Sequence, residues 1–460
     1  AVTIEDFVAA MEDASGTSLA HFRAWYHQAG TPEITLDDEY DAEARRYTLT
    51  LKQGTPPTPS QPQKQPLVIP VAMGLLDPDG AAAVARLDGE AAPSAESRVL
   101  VLEAGEQAFT FDDVARPPVP SLLRGFSAPV KLLGMAPERL RLLARHDPDP
   151  FVRWESGQQY ATAVLLDAAA RFRLGQSVEP DPALIEMAAA TLAASEADPS
   201  FAAEALILPG ESFLADQMTV ADPEAIHHVR QAARQAIGRQ LAPALRARYE
   251  ALHQHGPYSI DGASIGRRAL RNVCLAYLTA ACDAESARLA RAQFDARQNM
   301  TDVLAALGAL SAIDAPERTD ALAAFYADWR HDELVLDKWF AIQASSPLPG
   351  TIETVHGLLG HPDFDVRTPN RVRAVVGAFA GGNPVRFHDA SGAGYRFLAD
   401  FIIRLDPING QVAARMVSPL GQWRRFDPTR QAQMRGELAR ILEQGDLSKG
   451  TFEMASKSLG

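Results

Sequence analysis

The histidines are the side chains whose type best suits metal binding or proton transfer, and they fall into two close pairs. His227 and His228 are adjacent, and His253 and His255 are separated by one residue. A helical zinc motif such as HExxH places two histidines four residues apart with a glutamate between them, and that motif does not occur. Neither pair has the spacing of one helical face. The sequence therefore predicts surface or interhelical histidines and no metal site in this chain.

The two cysteines give no sign of a reactive or metal-binding thiol. Cys274 and Cys282 lie eight residues apart in one helical pattern, too far along the axis for a disulfide, and no CxxC pair occurs. The stretches GRRALRN and GAGYRF lack the glycines and lysine of a phosphate-binding loop. Unpaired thiols are typical of a reducing compartment, so we predict a cytoplasmic location.

The composition of the chain argues against nucleic acid and membrane as partners. The chain has 460 residues, 47% of them hydrophobic, and a formal net charge of −14. Nucleic-acid binding depends on Lys and Arg side chains that neutralise phosphates, and no basic block is present. No apolar run approaches the length that spans a bilayer. We therefore predict a globular protein that binds neither nucleic acid nor membrane.

The elements that must position any functional side chain change in character near residue 134. From Glu33 to Leu132 the hydrophobic pattern has a period of two, as in half-buried strands. The strand-like segments are RYTLTL, LVIPVAM, RVLVL, AFTF and SLLRGFSAPVKL, from Ser121 to Leu132. Turn-rich links separate them, and the link from Gly54 to Pro66 is predicted to be an exposed hairpin loop. This pattern predicts a small antiparallel β-sandwich.

From Pro137 onward, Ala/Leu/Arg-rich helical patterns follow one another, broken by Pro, Asp and Gly. No strict sequence period is visible. Because a single hydrophobic core stops growing near 250 to 300 residues, these more than 300 residues of antiparallel helices are most easily stacked as an irregular, HEAT- or armadillo-like α-solenoid. The chain is thus predicted to be mainly α with one β domain. Trp329, Trp339 and Phe340 are predicted to pack between helices.

The stretch LAHFRAWYHQAGTPEITL, Leu19 to Leu36, reads as a helix that ends where a strand begins. Leu19, Phe22, Trp25 and Tyr26 have helical spacing, and Gly30 and Pro32 stop the helix. Only eighteen residues precede this helix, too few to cover its apolar face. The helix is therefore expected to pack against a domain before residue 1, and its apolar face is expected to be uncovered here.

A set of longer segments resembles the bacterial branch of the aminopeptidase N family. They are EDFVAAMEDASGTSLAHFRAWYHQAGTPEITL, FDDVARPPVPSLLRGFSAPVKL, RALRNVCLAYL, NMTDVLAALGAL, DKWFAIQASS, PNRVRAVVGAFAGGNPVRFH and GYRFLADFI. These matches run in order through essentially the whole chain. The resemblance implies three regions: residues 1–32 as the last helices of a thermolysin-like catalytic domain, 33–134 as the β-sandwich, and 135–460 as the solenoid.

Members of this family are monozinc exopeptidases that release N-terminal amino acids from peptides. The resemblance implies that the zinc ligands, the general base and the groups that hold the substrate amine all lie before residue 1. The chain is therefore expected to be the C-terminal half of such an enzyme. One Zn is implied for the full-length enzyme, no cofactor for this chain, and no peptidase activity for the chain alone. Its expected partners are peptide substrates and the missing N-terminal and catalytic domains.

Three residues are predicted to contribute to substrate binding. In the family the solenoid closes an internal chamber, and a peptide held by its amine at the zinc directs its carboxylate toward that wall. By position, Arg373 of PNRVRAVV and Gln411 and Arg415 of NGQVAARM resemble residues that face the chamber. Gln411 and Arg415 are four apart and share a helical face, and a guanidinium suits a carboxylate by bidentate geometry. The alternative is that each arginine pairs with a carboxylate of the protein itself or is simply solvated.

A second class of function stays open at this point. An α-solenoid of stacked helix pairs is also a common architecture for an autonomous peptide- or protein-binding module. The Leu19–Gln28 segment separates the two hypotheses, because a helix with an uncovered apolar face needs an upstream domain only in the enzyme.

Overall fold

The computed structural model describes residues 2–253, 256–281 and 283–460, which form two compact units with the division at Tyr160 and Ala161. His255 and Cys282, which the sequence analysis singles out, lie outside the described residues. The first unit contains two β-sheets and a few helices, and the second is helical. This arrangement confirms a β domain followed by a helical repeat region.

Eight strands and three helices make up most of the first unit. They are α1 Ile4–Ser15, α2 Ala24–His27, β1 Glu33–Asp41, β2 Arg46–Gly54, β3 Ile69–Leu76, β4 Arg86–Leu87, β5 Arg98–Leu102, β6 Glu106–Asp112, β7 Val119–Leu122, β8 Lys131–Leu133 and α3 Pro137–His146.

The strands form a five-stranded sheet in the order β4-β6-β2-β1-β8 and a three-stranded sheet in the order β5-β3-β7. All pairings are antiparallel except that of β1 with β8, in which Ile34 pairs with Leu132. In β2 the residues Tyr47, Leu49 and Leu51 are fully buried while their neighbours are not, as a period of two requires. Their side chains meet those of Ile69, Val71 and Met73 in one hydrophobic core.

The segment from Ser121 to Leu132 is not the continuous strand that its hydrophobic pattern predicts. β7 ends at Leu122, a 3₁₀ turn covers Arg124–Phe126, and β8 begins at Lys131. Leu123, Gly125 and Phe126 have φ values of 61°, 61° and 55°. Two non-glycine residues in the left-handed region end the strand, and nothing in their types signals this conformation.

The link from Gly54 to Pro66 is also different from the prediction. It joins β2 of the five-stranded sheet to β3 of the three-stranded sheet, so it is a crossover between sheets and not a hairpin loop. Its side chains hold the chain ahead of β1: the Lys64 ammonium donates to the Ala29 carbonyl at 2.7 Å, and the Gln61 amide donates to the His27 carbonyl at 2.8 Å.

The predicted helix from Leu19 to Gln28 is reduced to α2, preceded by turns. Trp25 is partly buried against the core of the first unit, and its indole N–H donates to the Val68 carbonyl at 2.8 Å. The expectation that this apolar face is uncovered is therefore wrong for Trp25, whereas Tyr26 next to it is 42% exposed. Further exposed apolar residues lie on α1, where Ile4, Phe7 and Met11 are each about half exposed.

The second unit consists of helices joined by short links. The first of them, α4, begins in the first unit. They are α4 Pro150–Arg173, α5 Pro182–Ala194, α6 Pro199–Ala205, α7 Glu211–Asp216, α8 Pro223–Gln240, α9 Ala242–Ala251, α10 Gly262–Ala280, α11 Ala284–Ala296, α12 Met300–Ser311, α13 Pro316–Trp329, α14 Glu333–Ala344, α15 Thr351–Leu359, α16 Pro369–Val372, α17 Ala378–Gly382, α18 Pro384–Phe387, α19 Ala393–Leu405, α20 Gly410–Met416, α21 Ser418–Gly421, α22 Pro428–Leu442 and α23 Lys449–Leu459.

About half of these helices begin at a residue whose side chain caps the helix. Asp222, Asp261 and Asn299 each accept a hydrogen bond from a backbone N–H in the first turn of the helix that follows. One contact requires a glycine: a Cβ on Gly238 of α8 would lie 2.2 Å from the Tyr277 carbonyl oxygen of α10. The two helices therefore pack backbone to backbone at this point.

A π-helical turn, Arg373–Gly377, connects α16 to α17 without a break in helical backbone angles. It places one extra residue in the turn relative to an α-helix. Such turns are rare and concentrate at functional sites, and this one begins at a residue that the sequence singles out for substrate binding.

Candidate functional site

Gln411 and Arg415 lie on α20, whose sequence separates an inner from an outer face. Asn409 caps the helix by accepting from the Val412 N–H at 3.1 Å. The residues between Gln411 and Arg415 are buried, whereas these two are exposed. Neither side chain makes a hydrogen bond or ion pair with any residue that the structure describes. The pair therefore presents one amide and one guanidinium, a single helical turn apart, with their polar atoms free for a ligand.

Arg373 is exposed at the start of the π-helical turn. Its Nη1 donates to the Asn370 Oδ1 at 2.8 Å, a neutral partner three residues earlier on the same helical segment. This bond orients the guanidinium without neutralising it, so the positive charge stays available for an anion.

The structure brings two of the three predicted residues together on one helix and leaves the third on another. Within the described parts of the chain, no side-chain bond joins Arg373 to Gln411 or Arg415. The contacts of these residues therefore give no evidence that one substrate carboxylate would contact all three.

Known protein families match the β-sheet region and the helical region of this chain separately. A family model described as a domain of unknown function with ARM repeats, DUF3458_C, matches residues 137–460, and one described as a domain of unknown function with an Ig-like fold, DUF3458, matches residues 30–134. Over 100% of its length the chain is 41% identical to Aminopeptidase N of Escherichia coli and 43% identical to Aminopeptidase N of Caulobacter vibrioides. The chain belongs to the aminopeptidase N family. The resemblance predicted from the sequence segments is thus confirmed.

A solved structure has the same architecture as this chain. The crystal structure of Legionella pneumophila aminopeptidase A in complex with aspartic acid matches 100% of the chain with a TM-score of 0.83 and 30% sequence identity. The chain covers 52% of that structure and 52% of both Aminopeptidase N sequences. It therefore spans about half the length of the relatives it matches and corresponds to their C-terminal part.

The residues that the structure describes contain no donor set that matches the zinc implied for full-length aminopeptidase N. Among the described residues, no group of three or more His, Cys, Asp or Glu side chains could hold a metal ion. His227 Nδ1 pairs with a Glu211 carboxylate oxygen at 2.8 Å, and the His228 ring stacks on Phe172 with centroids 4.3 Å apart. Both are interhelical contacts, as the sequence predicts. No helix in the described ranges is long and apolar enough to cross a membrane.

A pattern that sequence reasoning passed over is GASIG, Gly262 to Gly266, which has the spacing of the Gly-x-Ser-x-Gly nucleophile motif. That motif needs a strand before the serine and an exposed hydroxyl. Here the segment opens α10 with no strand before it, and Ser264 is 2% exposed. The Ser264 hydroxyl accepts from Arg267 Nη2 at 3.1 Å. It is a first-turn helix residue in this aminopeptidase N homologue, and not a nucleophile.

Arg371 shows why neighbouring arginines of one motif differ in role. It lies two residues before Arg373 but is 5% exposed. Its Nε pairs with Asp337 Oδ1 at 2.6 Å, and its guanidinium lies 4.9 Å from the centre of the Phe340 ring. Trp339 and Phe340 are buried beside it, as the sequence predicts. Trp329, at the end of α13, is only partly buried and lines an open pocket.

Proposed function

We propose that this chain is the C-terminal portion of a zinc aminopeptidase that releases N-terminal amino acids from peptides. One observation carries the proposal: the match to Aminopeptidase N extends over the whole chain but only about half of each relative. In this proposal residues 1–32 end the catalytic domain, 33–134 form the sandwich and 135–460 the solenoid. One Zn is bound by the preceding half, and the enzyme acts in the cytoplasm.

The proposed contribution of this chain is to close the active-site chamber and to select substrates by their carboxyl end. Gln411 and Arg415 support it because they are exposed, one turn apart and unpaired among the described residues. Most ionised arginines of the second unit have acidic or carbonyl partners, as Arg371 and Arg386 do. A guanidinium left without a partner suits a ligand that arrives with its own carboxylate.

A chimeric protein tests the proposal. The N-terminal part of Caulobacter vibrioides Aminopeptidase N that this chain does not match is joined to the chain, in place of that protein's own C-terminal part. We expect zinc-dependent release of N-terminal residues from short peptides. The same N-terminal part without any C-terminal part is the control, and it should be much less active on peptides.

The autonomous binding module predicts a different result. A solenoid that binds peptide in its own groove would bind fluorescent peptides when purified alone, with an affinity that the added catalytic part does not change. A chimera that folds, binds zinc and is no more active on peptides than the truncated control would contradict the proposed role of this chain.

A further inference from the structure

A pocket of about 460 Å³ lies where the ends of α11 and α13 meet the start of α12. This volume is in the range of small-molecule sites. Its apolar walls include Phe294 and Phe325, each 1% exposed, with ring centroids 6.5 Å apart. Val303 and Met300 of α12 and the Trp329 ring complete the apolar lining. The walls therefore suit a large apolar side chain.

One ion pair borders this pocket. Arg297 Nη2 and Asp328 Oδ2 are 2.7 Å apart, and their side chains are 55% and 33% exposed. An ion pair this accessible to water contributes little to stability. A ligand that offers both an anion and a cation could replace the direct contact with two new ion pairs at small cost.

Both charged residues occupy positions that local structure disfavours. Arg297 follows α11 in the left-handed conformation, with φ 50°, where glycine is the usual residue. Asp328 lies in the last turn of α13, where a negative charge opposes the helix dipole. Residues that break local rules side by side at the edge of a pocket are expected at binding sites.

We propose that this pocket binds a free α-amino acid with a large apolar side chain. The side chain enters the Phe294, Phe325 and Trp329 lining, the α-carboxylate pairs with Arg297, and the α-ammonium pairs with Asp328. A nucleotide does not fit this chemistry, because an acidic side chain stands at the rim and no phosphate-binding loop is present. The pocket lies wholly in the helical unit, so its test is independent of any peptidase activity.

Titration of the purified chain with L-phenylalanine tests the proposal. Saturable binding is expected, with the Trp329 indole NMR signal shifting along the titration. Phenethylamine and 3-phenylpropionate each lack one charge, so each should bind about ten- to a hundredfold more weakly. Glycine lacks the apolar side chain and should not bind. Equal binding of L-phenylalanine and a single-charge analogue would overturn the proposal, and so would the absence of saturable binding.

Arg297→Gly separates binding from folding. Glycine is the preferred residue at this backbone conformation, so the variant should fold at least as stably as the wild type. It should nevertheless lose at least tenfold in affinity for L-phenylalanine, and Asp328→Asn should lose a similar factor. Arg367→Gly is the matched control, because Arg367 pairs with Asp365 outside the pocket. Unchanged affinity in Arg297→Gly would show that L-phenylalanine binds elsewhere.

Discussion

Arg415 offers an exposed guanidinium with no side-chain partner among the described residues, and its role can be tested in the chimeric enzyme. If it receives a peptide carboxylate, the contact exists in both the ground state and the transition state. Arg415→Ala should then raise KM and change kcat little. A hydrogen bond to a charged group contributes roughly 1.5 to 3 kcal/mol, so the loss in kcat/KM should be on the order of ten- to a hundredfold.

The control for Arg415 lies in the substrate. A tripeptide with a free carboxylate should show the loss, and the same tripeptide with an amidated C-terminus should not. Arg415→Lys should recover only part of the activity, because an ammonium lacks the bidentate fork. Arg373→Ala should behave in the same way if it shares the carboxylate. Equal losses for the free and amidated peptides would assign these arginines to the structure of the helical unit.

His388 gives a pH dependence with a definite sign. Its ring stacks on Phe426 with centroids 4.2 Å apart, and its Nδ1 lies 2.9 Å from the Tyr395 hydroxyl. Burial, with the nearby Arg430 and Arg425 charges, lowers the pKa of His388 to about 3. The unfolded value is about 6.5, so the unfolded state binds the proton first. The stabilising contribution is therefore complete above about pH 6.5 and is lost as the pH falls toward 3.

Urea unfolding of wild type and His388→Gln at several pH values measures this effect. Between about pH 6 and 4 the free energy of unfolding of the wild type should fall faster than that of the variant, by about 1.4 kcal/mol per pH unit. The comparison removes the contribution of the carboxylates, which titrate in both proteins. Parallel pH profiles for the two proteins would show that His388 does not resist protonation.

At the scale of elements, the α8–α10 contact depends on a single missing methyl group. Gly238→Ala would place a Cβ 2.2 Å from the Tyr277 carbonyl oxygen, and this backbone atom cannot rotate away. We expect a loss of about 1 to 3 kcal/mol in the free energy of unfolding. Gly308→Ala is the matched control, because Gly308 is also helical but a Cβ there meets no atom within 4 Å. It should gain up to about 1 kcal/mol from helix propensity.

Both Gly→Ala variants can be followed by helical circular dichroism during urea unfolding. A stable Gly238→Ala protein would mean that α8 and α10 can move apart at this position. A destabilised Gly308→Ala protein would mean that a Cβ at this position meets atoms that the structure does not place near Gly308.

The elements that the sequence predicts well are those with local signals. Asp222 before Pro223 and Asp261 before α10 are N-caps that can be read directly from the residue types. The failures have tertiary causes. The strand pattern after Ser121 breaks at Leu123, a non-glycine residue with positive φ. The helix expected at Leu19 is shortened to α2, whose Trp25 indole bonds to Val68, a residue 43 positions later.

The candidate site divides in the same way. The four-residue spacing of Gln411 and Arg415 was enough to predict one shared face on α20. No spacing rule separates Arg371 from Arg373, because the difference is made by Asp337, 34 residues earlier than Arg371, which captures one guanidinium. The Arg297 and Asp328 pair is indicated in the sequence only by Arg297, which stands at a helix end where glycine is usual.

At the scale of the whole molecule, the available zinc ligands determine whether the chain alone can bind zinc and cleave peptides. The purified chain should bind no stoichiometric zinc and should not cleave an aminoacyl anilide, because no zinc motif occurs in its sequence. Metal analysis after dialysis against zinc and a chromogenic assay measure both properties. The chimera of the proposed function is the positive control for both. Zinc-dependent turnover by the chain alone would contradict this prediction, because it would require a zinc site whose ligands do not follow the spacing of a known zinc motif.

The π-helical turn at Arg373–Gly377 has a consequence for how homologous sequences are aligned. The wider π turn takes up its extra residue locally, so the helix after it keeps nearly the face that it would have in an α-helix one residue shorter. A homologue with one residue fewer in this segment would have a continuous α-helix that presents the same face after the turn. A single-residue gap here therefore marks a change of helix type, and deletion of one residue should leave Phe379 buried without shortening any loop.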